Sequence, residues 1–194
     1  MKSYETIRME NREGIGVLTL HRPEVRNAFN QQMIDEIRDA LRGVDRDEGI
    51  RVLIVTGAGK AFQAGADIAD LRTMSPMALL RWNEGIVRIN AALEKLRQPV
   101  IAAVNGAAMG GGVELAVSCT LRVAAASAKF ALPEVKLGII PGTGGTQRLP
   151  RLIGKGRAAE LVLTGRIVAA SAALEMGLVN RVVSDEDVLA EAEA

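Results

Sequence analysis

The sequence predicts an α/β layered fold, and two observations carry that prediction. Stretches of strand character alternate with stretches of helical periodicity, and two strands precede the first helix. Two continuous apolar runs of strand length, at 51–56 and 100–104, have the composition of parallel strands buried on both faces.

In chain order, residues 4–9 and 14–20 read as short strands around the polar turn Glu10-Asn11-Arg12-Glu13. Asn30 caps a helix with Met33, Ile34, Ile37, Leu41 and Val44 on one face and Asp35, Glu36, Arg38 and Asp39 on the other. The strand at 51–56 leads into a loop rich in glycine and alanine, 57–66. Pro76 opens a long helix to about residue 97, with Leu79, Leu80, Ile86, Val87, Ile89 and Leu93 as its apolar positions. The strand at 100–104 passes through the loop 105–110 into a helix at 111–118. Strands follow at 121–126 and 129–132. The loop Pro141-Gly142-Thr143-Gly144-Gly145 enters a helix to about residue 153, followed by a helix at 156–163, a helical turn at 171–176 and a strand at 178–183. Asp185 starts a last helix with Val188, Leu189 and Ala192 as its stripe. The expected organisation is one core domain, 1–184, and the start of a helical region, 185–194, that continues in a longer natural protein.

Composition narrows the function classes. The 194 residues are 48% hydrophobic and 24% charged, which excludes a disordered chain. A chain of this length can bury roughly 70% of its unfolded surface without covalent staples. A net charge of +1 argues against a protein that holds nucleic acid by bulk electrostatics. The N-terminus has no apolar core of a signal peptide, and the uncharged stretch 98–113 is too short and too glycine-rich to span a membrane. The single cysteine, Cys119, allows no internal disulfide, and a reducing, cytoplasmic location is expected.

Several motifs fail on inspection. Gly57 and Gly59 follow a strand as in a dinucleotide site, but the third glycine is replaced by Phe62. Neither Gly59-Lys60 nor Gly154-Lys155 has the upstream glycine or the following hydroxyl of a phosphate loop. One histidine, His21, cannot make a two-histidine zinc site, Cys119 has no partner at ligand spacing, and no metal is expected. A Ser-His-Asp triad would need His21, and no activated serine lies near it in sequence.

Three segments remain: the loop at 61–68, Asn105-Gly106-Ala107-Ala108-Met109-Gly110-Gly111-Gly112-Val113-Glu114, and the segment 132–145. Small residues let a ligand approach backbone amides, and a glycine run at a helix start adds the positive end of the helix dipole. Two such loops from neighbouring parallel strands can aim two amides at one oxygen, the geometry of an oxyanion hole. Taken singly, each loop reads as a tight turn where glycine permits the backbone. Glu114, among Val113, Leu115 and Val117, reads either as a charge at a helix N-terminus or as a functional carboxylate. Glu134, after Pro133, reads either as an exposed loop charge or as its partner. Two carboxylates in an apolar pocket push their pKa values apart, so that one serves as base and the other holds a proton. Beside an oxyanion hole, that pair suits chemistry next to an activated carbonyl.

The residues that carry a family resemblance are now in view. The segment Arg22-Pro23-Glu24-Val25-Arg26-Asn27-Ala28, the run Ala61-Phe62-Gln63-Ala64-Gly65-Ala66-Asp67-Ile68, the Gly-Gly-Gly-Val-Glu segment at 110–114, and the stretch from Pro133 through Leu149 together resemble the crotonase, or enoyl-CoA hydratase/isomerase, superfamily over essentially the whole chain. The resemblance implies a spiral of ββα units, layered sheets with surrounding helices, assembled as trimers or dimers of trimers. It implies an enolate held by the amides of Ala66 and Gly111. Ala64, Gly65, Asp67 and Ile68 would lie along CoA, with Val25, Arg26 and Ala28 on the other side. Both glutamates of hydratases are kept, at Glu114 and Glu134.

The implied reaction is hydration of a 2-enoyl-CoA, with Glu114 as the water-activating base and Glu134 as the acid at the α-carbon. No metal or organic cofactor is expected, since CoA is part of the substrate. The alternatives are double-bond isomerisation on the same scaffold and a non-catalytic acyl-CoA-binding subunit. The region 71–82 is expected to shape the acyl end. Family members continue for about 60–70 further residues by the same resemblance, and a chain ending at Ala194 is expected to leave apolar surface uncovered.

Overall fold

The computed structural model describes residues 3–194. Strands β1 (Ile7–Arg12) and β2 (Ile15–Leu20) form an antiparallel hairpin in which Arg12 pairs with Ile15. The turn is tighter than the sequence suggests. Glu13 and Gly14 alone make it, both with positive φ (53° and 94°), so the polar residues 10–12 are strand rather than loop. Helix α1 (Gln31–Arg46) starts where predicted, with the Asn30 side chain accepting from the Met33 amide at 2.8 Å. Its buried face is Met33, Ile34, Ile37, Ala40, Leu41 and Val44.

Strand β3 (Val52–Gly57) lies parallel between β2 and β5 (Val100–Val104), which explains its unbroken apolar run. Strands β7 (Leu121–Ala125) and β10 (Arg181–Val183) complete a six-stranded sheet in the order β1-β2-β3-β5-β7-β10. A second sheet has four very short strands: β4 (Ala61–Gln63), β6 (Ala107–Met109), β8 (Lys129–Ala131) and β9 (Val168–Ala169), in the order β4-β6-β8-β9. The pairs β3–β4, β5–β6 and β7–β8 thus each lay a longer strand in the first sheet and a short one in the second.

Strands β4 and β6 correct the sequence reading, which places both segments in loops. Three residues are too few to show a period; β4 pairs with β6, and β6 also with β8. Helix α2 (Ile68–Leu71) and 3₁₀ turns at Pro23–Val25 and Pro133–Leu137 likewise lie where the sequence reads as irregular. Helix α3 (Pro76–Lys95) follows a cap from Ser75, whose Oγ accepts from the Ala78 amide at 3.3 Å, and packs along α1. Then come α4 (Gly111–Ala116), α5 (Gly145–Ile153), α6 (Lys155–Thr164), α7 (Ala170–Glu175) and α8 (Val188–Glu193). Helix α8 rests on β3, β5, β7 and β10 with Val188 and Ala192 buried. Among the described residues no helix is long and apolar enough to cross a membrane.

Candidate active site

The second sheet positions the site. Strands β4 and β6 are parallel neighbours, so the loops that follow them, through Ala66 and through Gly111, leave the same edge side by side. A Cβ placed on Gly65 would lie 3.1 Å from the Met109 carbonyl oxygen and 3.8 Å from the Gly111 nitrogen. The Gln63 side chain, fully buried, locks the first loop: its Nε2 donates to the Gly65 carbonyl at 2.8 Å and its Oε1 accepts from the Gly65 amide at 2.7 Å. Gly110 turns the second loop with φ 52°, ψ −117°, where a side chain is strained. Gly112 lets α4 abut β4, since a Cβ there would sit 2.2 Å from the Gln63 carbonyl oxygen.

The two expected amides are free to act. Among the described residues neither the Ala66 nor the Gly111 amide has a protein acceptor, whereas their neighbours are engaged: Gly110 donates to the Ala131 carbonyl at 2.8 Å and Asp67 to the Phe29 carbonyl at 3.0 Å. Gly111 is the first residue of α4, so its amide has no acceptor within the helix and sits at the positive end of the dipole. Both residues line a cavity of about 520 Å³ with Ala64, Gly65 and Ile68.

Glu114 and Glu134 line that same cavity, as the sequence analysis expects of a working pair. Glu114, 2% exposed in the first turn of α4, is held by three donors. Its Oε1 accepts from the Thr143 amide at 2.9 Å and the Gly145 amide at 2.7 Å, and its Oε2 accepts from Thr143 Oγ1 at 2.6 Å. This is a cradle for a carboxylate, an acceptor with no proton of its own to place. Glu134 differs. It is 9% exposed, in the 3₁₀ turn after β8, and its Oε2 has no hydrogen-bond partner. A Cβ on Gly110 would lie 3.0 Å from Glu134 Oε1, which sets this carboxyl beside the glycine loop. Burial pushes the Glu134 carboxyl up from 4.5 to about 7; its own backbone amide pulls partway back, and the Glu114 charge adds to the rise.

The remaining expected residues fall into two groups. Ala64, Gly65 and Ile68 line the cavity; Val25, Arg26, Ala28 and Asp67 do not. The second group nevertheless lies alongside the first. The Ala64 amide donates to the Arg26 carbonyl at 3.1 Å, and the Phe29 amide to the Gly65 carbonyl at 2.8 Å. Asp67 caps α2 at Ala69 and pairs with Arg22 at 3.1 Å, while Arg22 also donates to the Ala28 carbonyl at 2.7 Å. Arg26 and Asn27 take left-handed φ values of 54° and 59°. The buried Asn27 amide donates to the carbonyls of Ala58, Ala61 and Phe62, which ties this turn to β4.

Leu71, Leu79, Leu80 and Trp82, from the region expected to meet the acyl group, line the cavity together with Ile86. Residue type alone marks neither Gln63 nor Thr143 as part of the site, although both stand inside the motifs singled out in the sequence. Among the described residues no cluster of three or more His, Cys, Asp or Glu could hold a metal ion. Cys119 is buried with its thiol pushed up to about 12 by burial, so it supplies no nucleophile. A separate depression of about 590 Å³ near Tyr4, Arg42 and Arg46 shares no residue with the glycine-rich loops.

Known proteins resemble this chain over most of its length. The model of the enoyl-CoA hydratase/isomerase family matches residues 10–194. The chain is 47% identical over 190 residues to a crotonyl-CoA hydratase of Syntrophomonas wolfei, covering 97% of this chain and 73% of the relative. It is 42% identical over 182 residues to a short-chain-enoyl-CoA hydratase of Clostridium acetobutylicum, covering 93% and 70%. The crystal structure of an enoyl-CoA hydratase from Bacillus anthracis superposes with a TM-score of 0.96 at 41% identity, over 97% of this chain and 74% of that one.

Proposed function

Because the chain belongs to the enoyl-CoA hydratase/isomerase family, we propose that Glu114 and Glu134 carry out its reaction between them, the hydration of a 2-enoyl-CoA thioester to a 3-hydroxyacyl-CoA. The observation that carries the assignment is the asymmetry of the pair: Glu114 is cradled by three donors, while Glu134 is half stripped of partners with its carboxyl raised to about 7.

The thioester carbonyl accepts from the Ala66 and Gly111 amides, and conjugation draws electron density from C3 towards that oxygen. A water sits between the two carboxyl groups. Glu114 takes a proton from it as its oxygen bonds to C3, and the charge moves onto the thioester oxygen as an enolate. Glu134 then gives its proton to C2, and the enolate collapses to the saturated thioester. The water's elements have been added across the double bond, and the pair is left with the proton on the opposite carboxyl, to be exchanged with solvent. CoA is the handle by which the substrate is held. Ala64, Gly65, Asp67 and Ile68 lie along CoA in this reading, with Val25, Arg26 and Ala28 on its other side, and the chain assembles as a trimer or a dimer of trimers in the cytoplasm. Large apolar side chains at Leu137, Ile139, Ile140, Leu163 and Ile167 stay exposed in the single chain, which favours assembly. Light scattering that returns a stable monomer with full activity removes the trimer from this proposal.

The direct test is loss of the conjugated thioester absorbance of crotonyl-CoA. Its pH dependence has a fixed sign. The acid must be protonated, so kcat/KM falls as pH rises through about 7, the value to which Glu134 is raised. In Glu134→Gln the residual rate keeps no such alkaline limb. An unchanged limb in that variant assigns it to another group.

A further inference from the structure

The cradle of Glu114 is itself held by one face of α3, whose Asn83 also lines the cavity. Asn83, Asn90 and Glu94 are seven and four residues apart, which places them on one side of the helix. Asn83 Nδ2 donates to the Gly142 carbonyl at 3.1 Å. That carbonyl belongs to the same peptide unit as the Thr143 amide that donates to Glu114 at 2.9 Å. Asn83 and Glu114 thus grip the two ends of one peptide plane, and each hydrogen bond polarises the other. The Thr143 carbonyl accepts from Asn90 Nδ2 at 3.0 Å and from Arg148 Nη1 at 3.1 Å. Arg148 is in turn fixed by a two-pronged pair with Glu94, at 2.8 and 2.6 Å.

Asn90 is fully buried beside Ile86, Ile89 and Leu93, and its Oδ1 has no partner. Among the described residues the one hydrogen bond of its side chain is to the Thr143 carbonyl. A buried amide is costly unless bonded, so this side chain is out of place as plain packing.

We propose that Asn83 and Asn90 are positioning residues for the catalytic base, orienting the 142–144 backbone so that the Thr143 and Gly145 amides stay aimed at Glu114. The proposal rests on the reading of Glu114 as that base.

The test measures kcat and KM for crotonyl-CoA in Asn83→Ala and Asn90→Ala, each alone and combined with Glu114→Gln. Arg88→Ala, an exposed change elsewhere on α3, is the control and keeps wild-type kinetics. Each asparagine change is expected to lower kcat about tenfold or more, with KM within about twofold, because a misplaced base fails in the transition state and not in binding. On the Glu114→Gln background the same changes lower the residual rate by less than about twofold. A folded Asn83→Ala with wild-type kcat overturns the proposal. So does an equal factor lost on both backgrounds, which marks a merely structural role or a direct substrate contact. Asn83 lies partly at the surface, so its variant decides the matter if Asn90→Ala does not fold. A fully active Glu114→Gln overturns the base assignment itself, whereas an inactive Glu114→Gln beside unaffected asparagine variants overturns only the clamp.

Discussion

Glu114→Gln is expected to lower kcat for crotonyl-CoA hydration by at least about a hundredfold, equivalent to about 2.7 kcal/mol of transition-state stabilisation. The substitution is nearly isosteric, and the cradle can accept it. A glutamine oxygen still takes the Thr143 and Gly145 amide bonds, while its NH₂ turns to Thr143 Oγ1, which can accept instead of donate. What is lost is the capacity to take a proton from water. Folding and the binding of a saturated acyl-CoA should therefore change little, and the loss should appear in kcat rather than KM. Glu134→Gln is expected to cost a comparable factor, since an amide has no acidic proton to give to C2. A variant of either residue that turns over near the wild-type rate removes that residue from its assigned role.

Gly111→Pro should reduce activity by a factor of about 10²–10³ or more, the usual cost of one oxyanion donor. The position makes this an unusually clean removal of a backbone N–H. Gly111 opens α4, where proline is well tolerated, and its amide has no protein acceptor to lose. Gly111→Ala is the matched control. It keeps the N–H, and its Cβ would meet the Phe29 ring at 3.5 Å, an ordinary contact. The alanine variant should stay within about tenfold of wild type. Thermal melts and CoA binding establish that both variants fold. A folded proline variant that still hydrates at the wild-type rate takes Gly111 out of the mechanism.

Local chemistry made much of this legible in the sequence. The Asn30 cap, the periodic face of α1, the apolar runs of β3 and β5 and the glycine runs at the loops each depend on residues close in the chain. Such signals survive without knowledge of the fold. Glu114 and Glu134 stood out for the same reason, as charges among apolar and glycine residues, and the family resemblance then supplied their roles.

Tertiary structure alone decided the rest. Strands β4 and β6 are three residues each, and only pairing makes them strands, β4 with β6 and β6 with both β4 and β8. Their parallel register is what brings the amides of Ala66 and Gly111 to one edge. The sequence could not say whether Glu134 was an exposed loop charge. Burial in the 3₁₀ turn after β8 strips Oε2 of partners and raises the carboxyl to about 7, and desolvation of that kind depends on what the distant chain places around a group. Val25, Arg26, Ala28 and Asp67 were indistinguishable in sequence from residues at the cavity wall; the fold leaves them outside its lining, with the Arg26 carbonyl accepting from the Ala64 amide and Asp67 paired with Arg22. The hold of Asn83 and Asn90 on the cradle of Glu114 spans more than fifty residues of chain. No local pattern encodes it, because a helical asparagine becomes a positioning group only when the fold delivers a carbonyl to its donor.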